Sequence, residues 1–124
     1  MKQEKDILLK DLCARLPYGI ICDDEYGNTL ELIGINNPNN ATFKCSDKTF
    51  WTTDLDKCRP YLFPLSSMTK KQKEEYRQFL EDIDGYAYSI DCVLQIDWLN
   101  KNHFDYRGLI EKGLAIDATG LNIY

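Results

Sequence analysis

The chain has 124 residues, is 44% hydrophobic, 28% charged and 12% aromatic, and carries a net charge of −5 at pH 7. This length fits one domain that buries roughly two thirds of the surface its unfolded chain exposes, and the composition excludes a disordered chain. The acidic balance argues against bulk binding to nucleic acid or to an anionic membrane, which both call for a basic face, and no apolar run reaches the about 18 residues of a membrane span.

The first residues, MKQEKDILLKDLCARLPYG, lack the apolar core and cleavage site of a signal peptide, so a cytoplasmic protein is expected. Five cysteines (Cys13, Cys22, Cys45, Cys58 and Cys92) form no C-x-x-C pair. Zinc sites usually draw two ligands from one turn. Reduced thiols packed as small hydrophobes are therefore expected, with no disulfide, metal or cofactor.

Leu8, Leu12 and Leu16 are spaced by four, with Leu9 and Cys13 on the adjacent row, which predicts a helix over 3–16. Lys5, Lys10 and Arg15 are expected on its outer face, and Pro17 to end it. Strands follow. GIICD (19–23) and TLELIGIN (29–36) flank a turn at EYGNT (25–29) containing Gly27 and Asn28. In the second of them Leu30 and Leu32 point one way, Ile33 and Ile35 the other. NNPNN (36–40) is a loop. ATFKC (41–45) and KTFWT (48–52) pair as a second hairpin around Ser46 and Asp47. PYLF (60–63) is a fifth short strand, which Pro60 and Pro64 should confine to a sheet edge.

Thr69 and Gln72 have the spacing of a capping box, so a helix is predicted from about Lys70 to Leu80, with an apolar stripe of Tyr76, Phe79 and Leu80, ending in EDIDG (81–85). The segment from Ile90 to Asn102 is apolar nearly all round and should pack on both sides. Asp105 can cap a short helix from Tyr106 to Lys112, with Gly113 past its end. The tail LAIDATGLNIY (114–124) adds a short strand or lies over the sheet. The expected fold is one α+β domain over 1–124. Residues 1–17 are a helix and 18–64 a curled antiparallel sheet of four to five strands. Residues 65–124 are a helical part with two to three helices. An SH3-like half-barrel is the nearest architectural comparison for the sheet and carries no functional meaning.

The densest stretch is WLNKNHFDYRGLIEKGLA (98–115), with the only histidine. His103 and Asp105 could make a carboxylate-oriented imidazole, the centre of a hydrolase or transferase. No G-x-S-x-G elbow accompanies them, and a histidine beside a helix C-terminus commonly serves there in its charged form. The stretch is therefore expected to close the core through Trp98, Leu99, Phe104, Leu109 and Ile110, with no catalytic residue. Asp97 is expected on the helix surface, paired with Lys101. The run TKKQK (69–73) reads as a solvated face. The acids Asp23, Asp24, Glu25 and Glu31, in a segment without Lys or Arg, form the best candidate for a protein-binding surface. The alternative is single-stranded nucleic acid stacked on Tyr26, Phe43 and Trp51, which the net charge disfavours.

Three blocks, DLCARLPYGI, RPYLFPLSSMT and DWLNKNHFDYRGLIEKGLAIDA, cover a little over a third of the chain. In this order they resemble a family of small uncharacterised proteins encoded by bacteriophages and mobile elements of anaerobic gut bacteria. The resemblance implies a setting, a mobile element in a bacterial host cell, and a short list of jobs: acting on a host protein such as a defence component, or serving replication or transcription of the element. It transfers no functional residue. The function expected is that of a non-enzymatic protein-interaction module.

Overall fold

In the computed structural model, which describes residues 2–24, 26, 28–81 and 89–124, the first element is the helix α1 (Lys2–Arg15). Its Leu8 and Leu12 enter the core. Arg15, expected outside, is fully buried, and so is Asp11 one turn before it. The α-helix ends before Pro17, as expected. Leu16–Tyr18 make a tight 3-10 turn, and Gly19 reverses the chain with a φ of 72°.

The sheet strands are β1 (Ile21–Asp23), β2 (Thr29–Asn37), β3 (Asn40–Lys44), β4 (Phe50–Asp54), β5 (Arg59–Pro64), β6 (Phe104–Asp105) and β7 (Ile116–Asp117). Their hydrogen-bonded path runs β4-β3-β2-β1-β5-β6, with β7 also on β5. The first five strands pair antiparallel, while β6 and β7 pair parallel to β5. The path does not return to β4, so the sheet is open. Beyond the four to five strands expected over 18–64, β7 falls in the tail where a short strand was one expectation, and β6 at Phe104–Asp105 was not expected; both are two-residue segments. Such short pairings leave almost no periodic signal in a sequence.

The residues of β2 do not simply alternate. Leu32 lies opposite Phe43, but the register slips before Gly34, which lies opposite Thr42, and Ile35 lies opposite Ala41. This bulge changes the phase of the strand, so Ile35 packs against the core with Leu30 and Leu32, while Ile33 is left exposed. The second hairpin closes as a three-residue loop. Lys48 N–H donates to the Cys45 carbonyl, and Lys48 takes the left-handed conformation that such loops require, with φ 69°.

Strand β5 is interior, contrary to the edge position its prolines suggested. Pro60 lies opposite Cys22. Leu32 N–H donates to Ile20 O and Asp24 N–H to Asn28 O, so by alternation Cys22 turns its own polar groups towards β2. No donor is therefore asked of Pro60 on that side.

Thr69 and Gln72 form the expected reciprocal cap of α2 (Lys70–Glu81). Thr69 N–H donates to Gln72 Oε1 at 2.9 Å and Gln72 N–H to Thr69 Oγ1 at 3.1 Å. The end predicted at EDIDG falls largely outside the described residues, as do the side chains of Phe79 and Leu80. Over its described side chains, from Val93 onward, helix α3 (Ser89–Lys101) packs on one side rather than two. Leu99 and Asn100 are buried, while Val93, Leu94 and Ile96 are exposed. Residues 106–107 bend and 109–113 form turns instead of the expected short helix. The core gathers Leu8 and Leu12 of α1, Ile20, Cys22, Leu30, Leu32 and Phe43 of the sheet region, and Leu55, Leu62 and Leu109. A hydrogen bond with the Cys58 thiol, then burial, push the Cys22 thiol well above its ordinary value, which keeps it protonated.

Candidate interaction edge

The stretch 98–115 builds a polar cluster under α1. Asp11 Oδ2 accepts from Arg15 Nε at 2.7 Å and Asp11 Oδ1 from Arg107 Nη1 at 3.2 Å. Arg107 also donates to Tyr106 Oη, which donates in turn to Asn100 Oδ1 at 2.8 Å. Arg15 donates to the Phe104 carbonyl, and both guanidiniums lie over the Tyr106 ring. One fully buried carboxylate thus serves two cations, the buried Arg15 and the partly exposed Arg107. The members of the cluster are joined to one another, so it fastens α1 to the end of α3. The sequence held a partial signal: Asp11 and Arg15 are four apart and share a face with Leu8 and Leu12.

His103 and Asp105 take separate roles. Asp105 Oδ1 accepts from Leu109 N–H at 2.9 Å and Oδ2 from Ile110 N–H at 3.0 Å, which occupies both oxygens in capping the following turn. His103 has a left-handed backbone, φ 63°. Its ring stacks on that of Tyr124 at 3.6 Å, and its Nδ1 has no hydrogen-bond partner among the described residues. Burial and then the nearby Arg15 charge lower its pKa to about 4. The imidazole is therefore neutral at pH 7, not the charged helix-end group expected. Asp97 and Lys101 are both exposed.

The acidic hairpin is less open than its composition suggested. Asp23 and Asp24 are buried. Asp24 Oδ1 accepts from the N–H groups of Tyr26 and Asn28, and Oδ2 from the Asn28 amide, so this carboxylate organises the turn. Asp23 faces Arg59 at 3.5 Å. Glu31 is half-buried opposite Lys44, and Glu25 lies outside the described residues. Of the three stacking candidates, Tyr26 and Trp51 are exposed but Phe43 is wholly buried and offers no face to a base. The structure therefore does not assemble the three rings into one platform.

Strand β4 is different. It lies at the end of the sheet, paired with β3 alone. Phe50 is 64% exposed and Trp51 48%, on opposite faces of the strand. Cys45 N–H donates to the Thr49 carbonyl and Leu55 N–H to the Asn39 carbonyl. These two bonds fix the phase of the ladder. Trp51 and Thr53 turn their backbone groups towards β3, and Phe50, Thr52 and Asp54 turn theirs away from the sheet. Among the described residues no strand pairs with that outer edge. Beside Trp51 lies a cavity of about 390 Å³ bounded also by Leu30, Cys45, Asp47 and Thr49. Hydrogen bonds from the Thr49 hydroxyl and N–H hold the Asp47 carboxyl below its ordinary range.

No protein-family model, curated protein or solved structure matches this chain. The chemistry of the edge itself carries the reading. Free ladder groups, two exposed aromatics and no charge between Phe50 and Thr53 are what strand addition uses. Natural edges exposed without a role are usually blunted by charge, proline or a bulge. Sequence reasoning named Trp51 only as a stacking residue and overlooked Phe50 and Thr52. Nothing in a single strand's residues shows that it lies at an edge.

Proposed function

We propose that this chain is a non-enzymatic protein-interaction module that recruits its partner by strand addition at β4. The carrying observation is the row of outward backbone groups at Phe50, Thr52 and Asp54 beside exposed Phe50 and Trp51. The resemblance in the three sequence blocks supports a phage or mobile-element setting and a host-cell protein as partner. Of the acids Asp23, Asp24, Glu25 and Glu31, Asp24 holds the β1–β2 turn.

The test is capture from lysate of an anaerobic gut bacterium, with half the lysate nuclease-treated, using wild type and Thr52→Pro. Proline at 52 removes an outward donor and leaves the β3 ladder intact. A protein retained by wild type after nuclease and lost with Thr52→Pro supports the reading. Retention by both moves the interface elsewhere. Loss on nuclease treatment favours the nucleic-acid alternative.

A further inference from the structure

We infer that the occupant of the β4 edge in the isolated protein is β4 of a second copy, paired antiparallel about a two-fold axis at Trp51. The inference rests on the reading of β4 as the interaction edge and names who fills it.

An isologous edge contact must be complementary to itself. Only residues with outward backbone groups can exchange hydrogen bonds across it, which restricts the partners to Phe50, Thr52 and Asp54. Three registers use them while keeping Phe50 inside the paired span. Centring on Thr52 sets Phe50 against the acid Asp54 of the other copy. Centring on Phe50 sets Thr52 against Lys48 and leaves Asp54 past the end of the pairing. Centring on Trp51 sets Phe50 against Thr52 twice and puts the two Trp51 side chains face to face as a close cross-strand pair. Aromatic pairs at such positions are among the more stabilising in sheets.

Charge selects the same register. With Trp51 on the axis, the Lys48 end of each strand meets the Asp54 end of the other, so opposite charges face each other twice. Asp47, beside Lys48, is turned back onto Thr49 through its N–H and hydroxyl, which leaves Lys48 as the outward charge of the loop.

Sedimentation equilibrium over a wide concentration range tests this. Wild type should show a monomer–dimer equilibrium, and Thr52→Pro should weaken it by at least about ten-fold. Lys48→Glu and Asp54→Lys should each weaken dimerisation by about five-fold, because each meets its partner charge twice, and the double exchange should restore it. These surface variants keep the test informative should the proline variant fail to fold. A wild-type chain that stays monomeric at millimolar concentration overturns the inference, as does dimerisation that none of the variants moves. A monomer that nevertheless loses a captured host protein with Thr52→Pro overturns self-pairing alone and leaves the edge reading standing.

Discussion

The rings of His103 and Tyr124 lie parallel, 10° apart in orientation with centroids 3.6 Å apart, because β5 holds both residues at adjacent stations. Phe63 N–H donates to the His103 carbonyl at 2.8 Å. Two residues earlier, the Tyr61 carbonyl accepts from the Tyr124 hydroxyl, also at 2.8 Å, and that hydroxyl accepts from Ile21 N–H at 3.0 Å. The β1–β5 ladder stops after Cys22 and Pro60, so the phenol supplies the next rung between two strands that have begun to separate.

Tyr124→Phe should therefore destabilise the fold by about 1–3 kcal/mol. It leaves the Ile21 N–H and Tyr61 carbonyl without their shared partner while keeping the ring stacked. Urea denaturation measures the loss, and faster amide exchange at Ile21 would locate it. Unchanged stability would mean that water replaces the hydroxyl at no cost.

His103 sets an acid limit on stability. Its pKa is about 4 in the folded chain against 6.5 for the free side chain. Between those values the unfolded chain binds the proton and the folded chain does not, so stability falls as pH drops from about 6.5 to about 4 and the loss levels off below. Discounted for partial exposure, the loss is on the order of 1 kcal/mol. His103→Asn, which tolerates the left-handed backbone, should remove this portion of the pH dependence. Identical slopes for the two proteins would show that the imidazole does not titrate as described.

Asp11→Asn should cost about 3–5 kcal/mol, since it strands the fully buried Arg15 guanidinium. Asp23→Asn should cost under about 1 kcal/mol through its ion pair, because Arg59 is half-exposed and 3.5 Å away. Thermal melts of the two variants compare them directly. Equal losses would contradict the assigned difference in burial.

Asp105→Ala should lose about 1–2 kcal/mol with the caps on Leu109 and Ile110. His103→Ala should leave partner capture intact. Capture lost with His103→Ala in a folded protein would shift the site from β4 to the His103–Tyr124 stack.

Local chemistry was legible in the sequence. The Thr69–Gln72 cap, the hairpin around Ser46 and Asp47, and the Leu8–Leu12 face of α1 each need only residues a few positions apart. Tertiary structure decided what depends on distant partners. Arg15 shares a face with Leu8 and Leu12 by spacing, but what buries it is a distant partner, the Phe104 carbonyl 89 positions later, to which it donates. Asp24 is an acid by composition and a turn-former by its bonds to Tyr26 and Asn28. The bulge in β2, the interior place of β5 and the outward phase of β4 follow from strand pairing. Periodicity within one segment reports which residues share a face. It carries no information on which neighbouring segment covers that face, because that is settled by contacts whose free energy exists only once the chain has closed on itself.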